Sequence, residues 1–580
     1  MRVSVSKSKN AESFYIVKSF RTPEGKNTSK IVRKLGTLDE LMTSLDTTDR
    51  NVIMEWAKQE AAKETEKEVR EDKSAVFVSL SPDKKIGLSE KRYFKGGYLF
   101  LQDILYSMSY KNMIRNIEYR HKFEYDLEAI LSDLIYARIL EPGSKSSSYE
   151  TAKSFLEPPK YKLHSVYRAL SILAKESDYI QAEFYRNSNM VIQRNNKILY
   201  YDCTNYFFEV EEEDEFRKYG KSKEHRPNPI VQMGLFMDGD GIPLAFHVFP
   251  GNESEQPSMI DLEKKVIQDY KMSKLIVCTD AGLASQTNKR FNHTDDRGFI
   301  ITQSIKKLKK ADKEWALKDE EFMRVGDDLK IKSIRNIKEE DPEYMDHLYY
   351  KEEPYDIKGV EQTLIVTYSP KYAKYQRSIR EKQVERAQKM IENGSVKRKR
   401  KNPNDPARFI DKHITDENGE IQEGAEDSYY LNESAIAEEA KYDGFYALTT
   451  DLFEDDIKDI LEISERRWEI EESFRIMKTD FESRPVYVSR EDRIKAHFLI
   501  CYLALLVYRI LEKKLGEKYT TEQICGALRS MNLLKIDEGY IPAFDRTTVT
   551  DAIHDTVDFR IDFEITKKSK MRNIIKNTKR

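Results

Sequence analysis

Two apolar runs in the middle of the chain each stop at an aspartate. Lys197–Ile198–Leu199–Tyr200–Tyr201 runs into Asp202, and Leu275–Ile276–Val277–Cys278–Thr279 runs into Asp280. Short apolar runs of this kind read as strands of a covered sheet, with the acid lifted out at its rim. The residues between them keep the same rhythm. Ile230–Met237 and Ile242–Phe249 read as two further strands, Gln256–Tyr270 as a helix, and Gly298–Thr302 as another strand. The Asp238–Gly239–Asp240–Gly241 turn is a hairpin and not a calcium loop, because Ile242 sits where such a loop needs a ligand. The rhythm returns with a strand at Phe445–Thr449, a long helix over Asp455–Phe481 and a final helix over Arg493–Leu515.

Around this α/β core the chain changes character. Residues 1–36 hold nine Lys or Arg against two Glu, and β-like runs flank a Pro23–Glu24–Gly25 turn, which predicts a small basic hairpin. Thr48–Lys73 reads as a charged helix. Residues 96–190 read as helical, broken at Pro142–Gly143 and Pro158–Pro159, and the helix Leu163–Lys175 after the second break admits a helix-turn-helix. Residues 303–440 lose the alternation. Lys371–Lys401 carries twelve Lys or Arg against three Glu, and Ile414–Ala440 carries nine acids with no Lys or Arg. The last fourteen residues hold seven Lys or Arg and no acid, which predicts a mobile basic tail. The expected organisation is a basic module with linker helix (1–95), a helical, DNA-binding candidate region (96–190), a first core part (191–302), an insertion (303–440), a second core part (441–515) and a C-terminal region (516–580).

Composition excludes several classes. The 98 Lys and Arg are balanced by 101 Asp and Glu, so only local segregation of charge argues for a nucleic-acid partner. Four separated cysteines form no C-x-x-C pair and no disulfide framework, which points to a reduced, cytoplasmic setting. Met1–Lys9 lacks the apolar region of a secretory signal. The most apolar stretch has thirteen residues between Lys495 and Arg509, short of the roughly 20 that span a membrane. No G-x-x-x-x-G-K-[ST] motif supports a P-loop nucleotide site.

Two strand-end aspartates on one sheet can share a divalent ion. Oxygen donors suit Mg²⁺ or Mn²⁺, and two such ions about 4 Å apart can drive in-line phosphoryl transfer. An aspartate after a strand is often just a turn or helix-cap residue. A third element comes from the helix around Arg467. Ile463, Ile470, Phe474, Met477 and Phe481 form an apolar stripe, while Arg467, Glu471 and Lys478 lie within about 40° of one line along the helix. That is an acid between two cations, suited to a metal beside a phosphate track, or an ordinary i,i+4 ion pair.

Tyr200–Tyr201–Asp202–Cys203–Thr204–Asn205–Tyr206–Phe207, Ser222-x-x-His225–Arg226–Pro227, Thr279–Asp280–Ala281–Gly282 and Arg467–Trp468-x-x-Glu471-x-x-Phe474-x-x-x-Lys478 together resemble the DDE transposases of bacterial insertion sequences, specifically the IS-four-like group. The resemblance runs in order from the basic N-terminal hairpin to about Leu515. It implies a ribonuclease-H-like core interrupted by a β-rich insertion, for which residues 303–440 are the place. It implies that Asp202, Asp280 and Glu471 form the catalytic, metal-binding triad for two Mg²⁺ or Mn²⁺ ions. The family's Y-x-x-R-x-x-x-E-x-x-x-x-x-x-K pattern is met at Arg467, Glu471 and Lys478, with Ser464 in place of the Tyr. Arg467, Lys478, His225 and Arg226 become DNA contacts. Trp468 either stacks on an unstacked base or fills the core. The implied activity is cleavage at the ends of a mobile element and strand transfer to target DNA by a homodimer on double-stranded DNA, with no membrane partner. A structure-specific nuclease with the same triad, or a non-catalytic DNA-binding descendant, are the alternatives.

Overall fold

The computed structural model of the protein describes residues 1–8, 11–21, 27–74, 76, 78, 81–83, 85–272, 274–337, 342–396, 404–413 and 428–580. They group into two units, Met1–Lys91 with Ile536–Tyr540, and Arg92–Lys535 with Ile541–Arg580.

In the first unit, strands β1 (Arg2–Lys7), β2 (Glu12–Arg21) and β3 (Asn27–Thr37) form an antiparallel sheet in that order, followed by helices α1 (Leu38–Ser44) and α2 (Arg50–Ser74). The module is thus three-stranded, and its expected Pro23–Glu24–Gly25 turn lies outside the described residues. Thr37 starts α1 through a capping box, its hydroxyl accepting from Glu40 N–H while Glu40 accepts from Thr37 N–H. Phe14, Leu41, Ile53 and Ala57 make a small core. The basic residues are not a bare positive patch: Arg33 stands 3.3 Å from Glu60, and Lys18 pairs with Glu68, both acids of α2.

The second unit opens with β4 (Tyr93–Lys95) and six helices: α3 (Tyr98–Ser107), α4 (Tyr110–Arg120), α5 (Leu127–Leu140), α6 (Lys145–Ala152), α7 (Leu163–Lys175) and α8 (Ser177–Val191). Strands β5 (Ile198–Phe207), β6 (Ile230–Asp238) and β7 (Pro243–Pro250) follow as an antiparallel meander. Helix α9 (Glu255–Tyr270) then leads to β8 (Leu275–Thr279), and α10 (Gln286–Asn292) to β9 (Arg297–Thr302). Both β8 and β9 run parallel to β5, a pairing that needs crossover connections, supplied here by α9 and α10. The sheet core of Leu199, Tyr201, Phe236 and Val277 is closed by α9 through Met259, Leu262 and Val266.

Residues 303–440, expected as an insertion into the core, do not all stand apart from its sheet. After α11 (Lys310–Ala316), the segment supplies β10 (Met323–Arg324). After α12 (Pro342–Met345), it supplies β11 (Tyr349–Ile357) and β12 (Val360–Tyr368). These three extend the same sheet, which has nine strands in the order β10-β11-β12-β15-β9-β8-β5-β6-β7, with β15 at Phe445–Thr450. Leu364 and Val366 of β12 bury on one face against Tyr349 and Ala447, and Ile365 between them is buried on the other, so the strand is covered on both sides here. Helix α13 (Pro370–Glu392), the hairpin of β13 (Ile410–His413) and β14 (Ser428–Leu431), and α14 (Glu433–Ala440) have their own cluster around Ala387, Phe409 and Ile410. Parts of the basic and acidic blocks, residues 397–401 and 414–427, lie outside the described residues.

Two further expectations change. The long helix Asp455–Phe481 is three pieces: α15 (Ile457–Glu465), α16 (Trp468–Arg475) and a π-helical turn Ile476–Asp480. At the first break, Arg467, Glu469 and Ile470 donate to the third residue back instead of the fourth, which tightens the backbone. At the second, Phe481 N–H reaches back five residues to Ile476 O at 2.9 Å. The basic C-terminal tail is also ordered. Helix Lys568–Asn577 buries Met571 and Ile574, Thr578 accepts from Gln102, and Lys579 stands 2.9 Å from Glu157. Its apolar i,i+3 pair outweighs the repulsion of its cations.

Helix α17 (Glu491–Lys514) is long and apolar enough to cross a membrane by composition, yet it is buried inside this unit. It packs on α3, α5, α7 and β7, which is where the apolar face of α7 (Val166, Ala169, Leu170) is spent.

Arg194 fastens the end of α8 to the β6–β7 turn. Both Arg194 and Asp238 side chains are wholly buried. The guanidinium donates to Asp238 Oδ2 at 2.5 Å and to Ile242 O and Pro243 O at 3.1 and 3.0 Å. Arg194→Ala is expected to destabilise the protein by about 3–5 kcal/mol, because Asp238 is left charged and buried. A urea midpoint within error of wild type would refute this.

Candidate active site

The register of one parallel pair builds the site. Tyr200 aligns with Cys278 and Tyr201 with Thr279, so the next residues on the two strands are Asp202 and Asp280. Neighbouring strands lie about 4.8 Å apart, which brings the two carboxylates side by side. Asp202 does not end its strand, as expected from sequence. β5 continues to Phe207 against β6, with Asp202 opposite Leu235, and only the β8 partner stops at Thr279. Asp202 therefore stands at a rim on one side and within a ladder on the other.

Asp280 does part of the work of a turn residue. Its Oδ1 accepts from Gly282 N–H at 3.0 Å and Leu283 N–H at 3.2 Å. Asp202 Oδ1 accepts from Cys203 N–H at 2.7 Å. Burial pushes the Asp202 carboxyl up to about 6, and the Asp280 charge pushes in the same direction, against the pull of Lys223. A half-buried pair of carboxylates supplies the oxygen donors that a hard divalent cation takes.

Glu471 is not brought to that pair. Helix α16 packs on β5, but the Glu471 side chain is exposed and accepts from Arg467 Nη1 at 3.0 Å. Among the described residues, no three His, Cys, Asp or Glu side chains are close enough to hold an ion. The expected triad thus has two converged members, and the i,i+4 ion pair holds the third. Arg467 itself lies within electrostatic reach of Asp202, Asp280 and Glu471.

Lys478, on the π-helical turn, donates to Thr204 Oγ1 at 2.7 Å and lies 5.2 Å from the centre of the Tyr206 ring. Burial lowers its ammonium to about 8, with Lys223 nearby adding to the effect. The breaks in the helix mean that Arg467 and Lys478 do not share one straight face. Trp468 is 57% exposed, which removes the core alternative for it. His225 is exposed with a left-handed backbone (φ 57°), and the Arg226 guanidinium sits 4.1 Å from the centre of the Phe207 ring.

Sequence reasoning missed Lys223, Glu224 and Arg484. Lys223 donates to Cys203 O beside Asp202. Glu224 pairs with Arg484 and stands 3.7 Å from Lys478 and 4.0 Å from Arg226. The first two sit at the unspecified positions of Ser222-x-x-His225, and Arg484 lies in no motif. The segment carrying Arg484 is tied from behind. Arg138 donates to Phe481 O and Glu482 O at 3.1 and 3.2 Å, and Arg529 donates to Asp480 O at 3.3 Å. His497 Nε2 lies 2.9 Å from Ser483 O, and its Nδ1 faces Lys145 Nζ at 3.2 Å. Burial holds His497 well below the usual range, so the ring is neutral and its Nε2–H is the donor to Ser483.

The raised Asp202 carboxyl has a signed consequence for stability. A folded-state value of about 6 against an ordinary 3.8 favours the fold fully below 3.8, and that contribution is lost as pH rises through 6. In chelator-containing buffer, Asp202→Asn should therefore melt higher than wild type at pH 7.5 and close to it near pH 4. Equal shifts at both pH values would show that Asp202 is not a strained charge.

The chain matches the transposase DDE domain family over residues 206–507, just over half its length. Asp280, Arg467, Glu471 and Lys478 fall within the match, and Asp202 lies four residues before it. No curated protein matches the chain. Among solved structures it is similar to piggyBac transposase in a synaptic complex with hairpin DNA, at 9% identity over 83% of this chain and 85% of that one, with a TM-score of 0.36. It is also similar to Mos1 transposase in a paired-end complex with the left transposon end, at 15% identity over 39% and 62% of the two chains, with a TM-score of 0.12. The family match spans the second strand-end acid and the helix that carries Glu471, and on it the chain belongs to the transposase DDE domain family.

Proposed function

We propose that the protein is a DNA transposase of the IS-four-like group that cuts at the ends of a mobile element and joins the freed 3′ ends to target DNA. The observation that carries this reading is the pairing of Asp202 with Asp280 at adjacent strand positions, in a chain of this family. The sheet supports a ribonuclease-H-like core: β7-β6-β5-β8-β9 has an antiparallel meander on one side of β5 and two parallel strands on the other.

Asp202 and Asp280 are the residues that would hold Mg²⁺ or Mn²⁺, with Glu471 joining when its carboxylate leaves Arg467. Bound ions of this kind supply an activated water and neutralise charge on the phosphate under attack. The chain's own residues orient the DNA. Arg467 and Lys478 would serve as phosphate contacts beside the carboxylates, Arg226 and His225 as further DNA contacts, and exposed Trp468 offers a ring to an unstacked base. A homodimer bringing two ends together completes the reading. The same residues would serve a structure-specific nuclease. Joining of cut ends to a second DNA separates the two.

Asp202→Asn, Asp280→Asn and Glu471→Gln should each lower end cleavage by more than about a hundredfold, because each removes an anionic oxygen that a hard cation needs. End binding should stay within a few-fold, and Ca²⁺ should support binding without cutting. Cleavage assays on the element's own ends, with gel-shift controls, decide it. Any single variant that still cuts near the wild-type rate loses its place in the site.

Arg467→Ala and Lys478→Ala should weaken end binding and flatten its dependence on salt. Each lost phosphate contact lowers the log–log slope by roughly 0.9 for duplex DNA, and added Mg²⁺ should not rescue either. Titration at several salt concentrations reads the slope. Unchanged slopes would leave Arg467 as a helix ion pair and Lys478 as a partner of Thr204.

A further inference from the structure

A groove of about 500 Å³ starts at Ala281, the residue after Asp280, and runs between the strand ends at Thr302 and Tyr446 and the N-terminal half of α13. Its helical wall is unusual. Tyr372, Tyr375 and Ile379 recur at i, i+3 and i+7 on one face of α13, yet they are 47%, 60% and 38% exposed. The rest of the helix behaves normally, packing Val384, Met390 and Ile391 against Phe409 and Ile410. A helix ordinarily turns such a stripe inward, so a face left open marks a contact surface.

The chemistry of the surface selects its occupant. Tyr372 and Tyr375 lie side by side, ring centres 6.2 Å apart and planes within 26°. Helix α13 carries seven Lys or Arg against three Glu, and the groove itself is lined by Lys306, Arg380 and Arg408 against Glu439 and Asp443, a net positive charge. At the far wall the Tyr446 hydroxyl is 2.5 Å from that of Thr302, and Tyr446 lies close to Arg467 beside the carboxylates. Arg380 and Arg408 are held by Asp443 and Glu439 and so stiffen the wall. Aromatic faces in a cationic groove accept bases of any sequence, provided the bases are unstacked. We propose that this groove binds a single-stranded segment of DNA leading away from Asp202 and Asp280, with Tyr372 and Tyr375 as the surface on which its bases stack. The inference rests on the transposase reading for its source of DNA.

The test uses the full chain, a short labelled oligothymidine and a duplex of equal length, with binding read by fluorescence anisotropy. Tyr372→Ala and Tyr375→Ala should each weaken single-strand binding by roughly tenfold, the loss of about one stacked base, and leave duplex binding within twofold. Tyr372→Phe and Tyr375→Phe keep the ring and should bind as wild type does. Unchanged single-strand binding in the double alanine variant, or phenylalanine variants as weak as alanine ones, would overturn the proposal. So would a change of association state in sedimentation with single-strand affinity unchanged, since the groove would then seat another copy of the chain. If wild type binds duplex ends but no single strand, the groove proposal alone fails. If it binds neither, the transposase reading fails with it.

Discussion

The parallel pairing of β5 with β8 is the constraint on which the site depends. Its register carries two aspartates past the last paired residues together, and no side chain has to reach far to make them neighbours. The arrangement has a cost, visible in the raised Asp202 carboxyl. Asp202, in a ladder against β6, is poorly solvated, and the charge of Asp280 beside it repels its own. The surrounding fold tolerates this because the strands are fixed by apolar packing of Leu199, Tyr201 and Val277 against α9, which titration of the acids does not touch.

The cations of the site are placed by a different device. Arg484 and Lys478 follow a helix that loosens into a π-helical turn, where backbone groups lose their regular partners. Arg138, His497 and Arg529 take up the carbonyls of Asp480 to Ser483 from the buried side. Buried side chains bonded to backbone in this way fix a segment that has no regular ladder of its own. The exposed side is then free to present charge, with Glu224 keeping Lys478, Arg484 and Arg226 together.

The part of the chain between β9 and β15 shows how an added segment can remain part of a core. Its β11–β12 hairpin joins the sheet beside β15, and α13 with its small hairpin stands beyond it. The sheet extension gives α13 a firm base, through the ion pair of Arg380 with Asp443 just before β15. One consequence is a groove wall made from a segment whose composition alone suggested only charge.

Much of the architecture was legible from local pattern. The strands around Asp202 and Asp280, the hairpin turn at Asp238–Gly241, helix α7 and the core helix α17 follow from apolar periodicity and turn residues, which act over a few neighbours. The candidate carboxylates and the Arg467–Glu471 pair were visible for the same reason. Tertiary structure alone decided the rest. Whether β11 and β12 extend the core sheet depends on which edge is open, and whether a basic C-terminal segment docks depends on an apolar slot for Met571 and Ile574. Lys223, Glu224 and Arg484 meet only because segments far apart in the chain converge, and Glu471 stays with Arg467 because its exposed side chain is not delivered to the carboxylate pair. Local sequence determines which residues can form a strand, a turn or an ion pair. Which of those possibilities is used depends on contacts between segments hundreds of residues apart, set by burial and charge pairing that no short window contains.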